Sequence, residues 1–166
     1  MAAEPVIYKG QDFSLKGDKE RFVLPARFRK PVTQSSDGRN ELLVTLHPGF
    51  GCLIGFGESY RDRRAELIRQ RAEDAFLRGE DFNADAQNNI FGDAMEVSFD
   101  NSGRMIIPGY LRKAAGITDA IFFYGFNETF LMWSPERLIQ NESPQWAVAR
   151  MMCEAWLETN VRGKGK

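Results

Sequence analysis

The sequence predicts a mixed α+β fold, mainly β, built from two tandem copies of one unit. The first observation is a repeat: RFVLPARFRK at residues 21–30 returns as RMIIPGYLRK at residues 104–113. The second is that two strand-like runs follow each copy, and the third is a charged segment with helical spacing between the copies. The chain has 166 residues, 43% of them apolar and thirteen of them Phe, so it is long enough to bury a core.

Each copy begins with a short strand whose side chains alternate. Arg21 and Val23 are expected on one face of the first strand, and Phe22 and Leu24 on the other. The second copy repeats this pattern, with Arg104 at the position of Arg21.

A short helix is predicted after each strand. Pro108 suits a first helical position, and Gly116 can adopt the left-handed conformation that ends a helix. In the first copy, Pro25 and Pro31 are expected to bracket the equivalent turn. A hairpin then follows in each copy, with strands at 42–46 and 52–56 in the first, and at 120–126 and 129–133, joined around Asn127, in the second.

The remaining segments are predicted to be helical. A helix with apolar residues at spacings of three and four starts near Tyr60, ends at Gly79 and has a solvated charged face. Ser134 is a predicted N-cap, and Ser143 opens a last helix before a mobile basic tail at 161–166. The expected divisions are 1–59 (first repeat), 60–93 (helical insert), 94–141 (second repeat) and 142–166 (C-terminal helix and tail). The stripe of the last helix consists of Trp146, Ala149, Cys153, Trp156 and Leu157.

Composition argues against several functional classes. The net charge of -1 and the pI near 5.9 give no overall attraction to nucleic acid, although residues 9–30 form a basic island.

Cys52 and Cys153 lack metal-ligand spacing and are interpreted as buried thiols. His47 is interpreted as a turn residue, because no nucleophile pairs with it. GFGCLIGFG at 49–57 lacks the Lys and the following helix of a phosphate loop. We therefore expect no enzyme, cofactor or metal, and the absence of a signal-like or membrane-spanning run suggests a cytoplasmic protein.

The segment DNSGRMIIP at 100–108 is the most specific motif. Asp100 and Ser102 favour a turn and Gly103 permits positive φ, so Arg104 is expected at a fixed corner. Such an arginine can donate two hydrogen bonds to a phosphate or a guanine edge. The alternative is a structural arginine paired with a carboxylate across the interface between the repeats.

The duplicated D-x-x-G-R-x-x-x-P pattern resembles the MraZ family of bacterial transcriptional regulators, in the AbrB-like swapped-hairpin superfamily. The resemblance runs from about Tyr8 to Arg137 and is strongest over AMEVSFDNSGRMIIPGYLRKAAGI at 94–117. YKG at 8–10, CLIGF at 52–56 and MWSPERL at 132–138 are similar to further family segments.

The resemblance implies two AbrB-like halves interleaved into one pseudo-symmetric β-barrel. It also implies rings of protomers, associated with the nucleoid, that bind direct repeats in double-stranded DNA upstream of the division and cell-wall gene cluster, mostly as a repressor. The DNA-facing arginine of the first motif corresponds to Arg21. Together with the motif at 100–108, this predicts a DNA-binding set of Arg21, Lys19, Lys16, Arg27, Arg29 and Arg104.

The first motif departs from the family pattern at two positions. Gly17 stands where the family has Asp, and Glu20 where it has Gly. A carboxylate next to Arg21 would repel phosphate by about 1 kcal/mol at contact distance in water. Gly17 and Asp18 could supply a shifted turn that leaves Glu20 on the opposite face from Arg21. The alternative function is an oligomeric interaction module that has weakened or lost DNA binding.

Overall fold

The computed structural model describes residues 4–160, apart from the side chain of Ala86; the predicted basic tail at 161–166 lies outside them. Within this range the backbone forms eight strands and six α-helices. The strands are β1 (Gln11–Leu15), β2 (Phe22–Val23), β3 (Glu41–Leu46), β4 (Leu53–Phe56), β5 (Met95–Ser98), β6 (Arg104–Met105), β7 (Ala120–Phe126) and β8 (Thr129–Trp133). The helices are α1 (Ala26–Ser35), α2 (Glu58–Arg78), α3 (Ala84–Asp93), α4 (Gly109–Ala114), α5 (Pro135–Ile139) and α6 (Ala147–Asn160).

The strands of the two copies pair with each other. Six of them form an antiparallel sheet in the order β1-β7-β8-β4-β3-β5, and β2 pairs with β6 in a separate two-stranded ribbon. Thus β1, from the first half of the chain, pairs with β7 of the second hairpin, and β5, from the second half, pairs with β3 of the first hairpin. Because the partners are exchanged symmetrically, either copy alone would leave strand edges without hydrogen bonds.

The β2–β6 ribbon (residues 22–23 and 104–105) lies between the two end strands of the sheet. On one side Phe99, just after β5, forms a bridge to Met105. On the other side the Val23 N–H donates to Ser14 Oγ of β1 at 2.8 Å. The hydrogen-bonded order of the six-stranded sheet is open, so the closed barrel expected from the sequence stays a prediction.

The core confirms the predicted alternation along β2 and β6. Phe22 and Met105, which face each other in the ribbon, are buried together with Leu24 and Ile107. Burying an apolar side chain of this size contributes about 1.5–3 kcal/mol. The ribbon therefore has an inner face fixed by the core and an outer face open to solvent.

The C-terminal helix packs as predicted. Trp146, Ala149 and Cys153 are buried, while Trp156 is half-buried and stacks on Phe13 with ring centroids 4.5 Å apart. Ser134 caps α5, because its Oγ accepts the Arg137 N–H at 3.2 Å. This confirms the N-cap read from the sequence.

Two local predictions need correction. Pro31 does not bracket a short turn, because α1 continues through it to Ser35. A proline at this position removes one helical hydrogen bond, but Phe28 and Val32 are buried on either side and hold both parts of the helix on the core. Pro108 precedes α4 as its cap rather than forming its first residue, whereas Gly116 has the expected left-handed φ of 70°.

The predicted insert helix corresponds to α2, which ends at the left-handed Gly79 as expected. Its last turn differs from the prediction, since Phe76, which lies at helical spacing from the buried Ile68, is 83% exposed. Helix α3 was not foreseen as a separate element. No helix within residues 4–160 combines the length and the apolar character needed to cross a bilayer.

The cysteines and the histidine have the structural roles expected of them. Cys52 and Cys153 are buried, and burial raises the pKa of the Cys153 thiol to about 12. His47 stacks on Phe50, and its Nδ1 accepts the N–H groups of Gly49 and Phe50 at 3.0 and 3.1 Å. These contacts make His47 a turn-stabilising residue.

Candidate nucleic-acid interface

The outer face of the β2–β6 ribbon carries one arginine from each copy. Val23 lies opposite Arg104 in the ribbon, and Arg21 directly precedes β2 on the same face. The side chains of Arg21 and Arg104 line one surface depression of about 150 Å³. The fold therefore brings the two repeated arginines together, although they are far apart in the chain.

The second-copy turn (Asp100–Arg104) holds its arginine with a carboxylate. Asp100 Oδ1 accepts the N–H groups of Ser102 and Arg104, each at 2.9 Å, and Asp100 Oδ2 accepts from Arg104 Nε at 2.7 Å. These bonds, led by the one from the Arg104 backbone, lower the pKa of Asp100. Arg104 is thus paired within its own turn and not across the repeat interface.

The first-copy turn (Gly17–Arg21) is closed by the same backbone hydrogen bond but has Gly17 at the position of Asp100. Gly17 N donates to Arg21 O at 2.7 Å, as Asp100 N donates to Arg104 O at 3.1 Å. Within this closing bond the turn is shifted by one residue, as Gly17 and Asp18 suggested: Arg21 N donates to Asp18 O at 3.3 Å, whereas Gly103 N donates to Asp100 O at 2.9 Å. Within the described residues, the only hydrogen bond of the Arg21 guanidinium is from Nε to Asp18 O at 3.3 Å.

Two non-glycine residues of the first-copy turn have left-handed backbones. Lys19 has φ 58° and Glu20 has φ 60°, where the second-copy turn has Gly103 at φ 83°. This conformation costs an L-residue about 1–2 kcal/mol. The strain falls on the turn whose arginine lacks a carboxylate partner.

The Glu20 carboxylate pairs with the other copy. Glu20 Oε2 accepts from Arg112 Nη2 at 3.3 Å, and Arg112 Nε donates to Ile107 O at 3.0 Å. The Arg112 side chain is only 15% exposed, so α4 and the core fix its position. The Glu20 carboxylate, which was expected to repel phosphate next to Arg21, is thus partly neutralised by Arg112.

The other predicted DNA-binding residues differ in how strongly their side chains are bound by other groups of the protein. Arg29 is half-buried, and its Nε donates to Leu24 O at 2.7 Å. Arg27 Nε lies 3.8 Å from Asp12 Oδ2, and Lys16 Nζ lies 3.8 Å from Asp119 Oδ1. Lys19 is exposed and has no ion pair within residues 4–160. Like Lys19, Arg21 forms no ion pair in the described part of the chain. The contacts of these residues with DNA stay predictions.

Three residues of this surface were given no functional role from the sequence alone. Arg112 corresponds to Arg29 in the repeat and, like it, donates from Nε to the carbonyl before the proline. Comparing the two copies position by position could have revealed this role. Val23 and Ile106 are 38% and 55% exposed, and the alternation had already placed them on the outer face beside the arginines.

Comparison with known proteins places these features in a family. Residues 90–144, which include the second-copy turn, match a family model described as "MraZ protein, putative antitoxin-like". A transcriptional regulator MraZ of Herminiimonas arsenicoxydans is 34% identical over 75% of this chain and 80% of its own length. Its counterpart in Burkholderia vietnamiensis is 34% identical over 82% of this chain and 87% of its own length.

A third relative, transcriptional regulator MraZ of Coxiella burnetii (strain Dugway 5J108-111), is 32% identical over 84% of this chain and 80% of its own length. All three matches cover at least three quarters of this chain and of the relative. This confirms the resemblance found in the duplicated motif. The chain belongs to the MraZ family, whose relatives named above are transcriptional regulators.

Proposed function

We propose that this protein is a sequence-specific DNA-binding transcriptional regulator and that it contacts DNA with the outer face of the β2–β6 ribbon. A two-stranded β-ribbon is narrow enough to enter the major groove. Arg21 makes the main contact with bases or phosphates. Lys19, Lys16, Arg27 and Arg29 contribute phosphate contacts or electrostatic attraction around it, and Arg104 lies beside it.

The observation that carries the proposal is the freedom of the Arg21 guanidinium. It lies on a solvent-facing surface, and its only hydrogen bond in the described chain is to a backbone carbonyl. A guanidinium placed this way can bind a phosphate or a guanine edge without first leaving a carboxylate. Of the neighbouring acidic groups, Asp100 and Glu20 are each engaged by another arginine, while Asp18 lines the same depression as Arg21.

The exposed apolar side chains on the ribbon fit the same proposal. Val23 and Ile106 lie between and beside the two arginines, where they could contact thymine methyl groups in a major groove. A surface made only for phosphates would not need apolar groups at its centre. This favours direct reading of bases over purely electrostatic binding.

The partner arrangement follows from the small size of the surface. One ribbon offers few contacts, so tight binding requires several protomers on tandem sites, which gain affinity through effective concentration. We therefore propose a homo-oligomer, in the ring form that the family resemblance implies, with the two copies interleaved into one barrel. Its targets are direct repeats upstream of the division and cell-wall gene cluster in the nucleoid, where it represses transcription.

The test is a fluorescence titration of the purified protein with duplex DNA from upstream of its own gene. At two salt concentrations, log affinity is expected to fall by about 0.9 per log unit of salt for each phosphate neutralised. Arg21→Ala is expected to bind more weakly with an unchanged unfolding midpoint. Arg61→Ala, which removes an exposed positive charge on α2, is the matched control and is expected to bind normally.

The outcome that contradicts the proposal is equally specific. If the wild type shows no preference for its upstream DNA over scrambled DNA, while light scattering shows a normal oligomer, the interaction module is the better description. That alternative rests on the replacement of the family's Asp and Gly by Gly17 and Glu20.

A further inference from the structure

A second candidate site lies away from the ribbon, under the insert helices. A half-open cavity of about 330 Å³ is enclosed by α2, α3 and the turns of the β3–β4 and β7–β8 hairpins. Its volume falls in the range of small-ligand sites, about 300–1,000 Å³. Strands β4 and β8 lie in the middle of the sheet, whereas the ribbon lies between its end strands, so a ligand here would not cover Arg21.

Two arginines on one face of α2 line this cavity. Arg64 Nη2 donates to Gln87 Oε1 at 3.2 Å, but Arg64 Nε is buried and has no acceptor within the described residues. A buried donor without a partner is rare and unfavourable. Arg71 follows two turns later on the same face and forms no ion pair in the described part of the chain.

The other charged and titratable groups of the wall leave this positive charge uncompensated. The Glu128 carboxylate is held by Arg63, whose Nε and Nη2 donate to its two oxygens at 2.6 and 3.1 Å. Burial lowers the pKa of His47, and its Nδ1 already accepts two backbone N–H groups, so its ring is neutral. Burial raises the pKa of Tyr60, which stays a neutral hydroxyl group.

The rest of the wall is largely apolar. Leu67 and Ile90 come from the two helices, and Ile54 and Phe126 from the sheet. A free inorganic anion would not use these groups, whereas a neutral apolar molecule would leave the arginines without a partner. The mixture suits a ligand with one anionic end and one apolar end.

We propose that this cavity binds a small organic anion, with its carboxylate or phosphate on Arg64 and Arg71 and its apolar part against Leu67, Ile90 and Phe126. Such a site would give the protein a small-molecule ligand in addition to DNA. The inference does not depend on the ribbon's function, because the two surfaces share no residue.

The proposal is tested by isothermal titration calorimetry of the full chain with four probes. Phenyl phosphate and benzoate carry both the anionic and the apolar part, and they distinguish a phosphate from a carboxylate. Inorganic phosphate lacks the apolar part, and benzyl alcohol lacks the charge. We expect at least one aromatic anion to bind saturably, with one molecule per chain, and more tightly than both incomplete probes.

Variants then locate the binding. Arg64→Met keeps an apolar stem without the charge, and Arg71→Gln removes the charge at the other position. Each is expected to weaken binding about tenfold, as for loss of a charge-assisted hydrogen bond. Arg61→Gln, on the same helix but outside the cavity, is the control and should bind as the wild type does.

Three results would overturn the proposal: no saturable binding of either aromatic anion, equal binding of benzyl alcohol or inorganic phosphate, or equal affinities in the Arg71→Gln and Arg61→Gln proteins. Arg71 is exposed, so its variant keeps the test decisive even if the Arg64 variant proves unstable in thermal unfolding.

Discussion

The turns that precede β2 and β6 are closed by the same backbone hydrogen bond but differ inside it, in backbone and in chemistry. In the turn at 100–104, a carboxylate accepts two backbone N–H groups and the arginine, and a glycine takes the left-handed position. In the turn at 17–21, Gly17 stands at the position of Asp100, so no carboxylate binds the turn in this way, and Lys19 and Glu20 take left-handed conformations. The second turn satisfies its own polar groups, whereas the first is strained and leaves its arginine available.

From this difference we propose that the duplicated motif divides its tasks. Strain at a position with unusual φ is tolerated when the surrounding structure fixes it, and such positions cluster at functional sites. Here the shared ribbon and the Glu20–Arg112 pair fix the first turn from the second copy. We propose that the second turn serves stability and that the first presents a guanidinium to DNA.

The largest expected effect comes from forcing a side chain into the second turn. In Gly103→Ala the new Cβ would lie 2.3 Å from Arg29 Nε and 2.5 Å from Leu24 O, at a φ of 83°. Left-handed strain and overpacking together are expected to lower the free energy of unfolding by about 2–4 kcal/mol. Urea denaturation measures this loss.

Gly38→Ala is the matched control, because Gly38 has the same φ of 83° and no atom within 4 Å of its Cβ position. Its expected loss is about 1 kcal/mol, from backbone strain alone. Equal losses of unfolding free energy in the two variants would mean that the close packing of Arg29 on Gly103 does not require a glycine there.

A smaller effect is expected from removing the charge in the first turn. Glu20→Gln keeps the left-handed backbone but removes the carboxylate that pairs with Arg112. DNA affinity is expected to rise about threefold to fivefold, from a repulsion of about 1 kcal/mol or less. The free energy of unfolding should change by less than about 1 kcal/mol, since the Glu20 side chain is largely exposed.

Asp37→Asn makes the same change in charge at another exposed position with φ 56°. A DNA titration should therefore show the gain only in the Glu20 variant. The same gain in both variants would assign it to net charge, and no gain in either would place Glu20 outside the DNA-binding surface.

The smallest effect concerns the pH dependence of the second turn. The pKa of Asp100 is lowered in the folded protein, so its stabilising contribution is present above the usual Asp pKa of 3.8 and is lost as pH falls through the folded value. Asp100→Asn should therefore be less stable than the wild type at neutral pH, and the gap should close in acid. Unfolding titrations between pH 7 and pH 2 measure the gap.

Asp81→Asn is the control for the pH experiment, because Asp81 is exposed and forms no ion pair within residues 4–160. Its difference from the wild type should be nearly constant with pH. A constant difference for the Asp100 variant as well would show that the carboxylate's hydrogen bonds do not stabilise the turn.

Local patterns were enough to predict most elements of the fold. The alternation in RFVLP and RMIIP identifies the buried Phe22 and Met105, because a strand has a two-residue period whatever it pairs with. Asn127, with φ 60°, marks the hairpin between β7 and β8. The predicted end of α1 was wrong. Pro31 is a local stop signal for a helix, but burial of Val32 keeps the helix on the core beyond it.

Contacts between the copies were harder to foresee. Glu20 and Arg112 meet only because the two copies exchange strand partners. The family resemblance pointed to Arg21, but the contrast between an Arg21 that binds only a backbone carbonyl and a carboxylate-bound Arg104 needed side-chain positions. The cavity with Arg64 is formed by α2, α3 and two turns that are distant in the sequence, so no short motif could predict it.

The most direct test of this account compares Arg21→Ala with Arg104→Ala for affinity to DNA from upstream of the protein's own gene. Loss of Arg21 is expected to weaken binding about tenfold to hundredfold, the value of one bidentate contact. Loss of Arg104 should weaken it less than about threefold, because that guanidinium is already bound by Asp100. Equal losses, or a larger loss for Arg104, would contradict the division of tasks between the two turns.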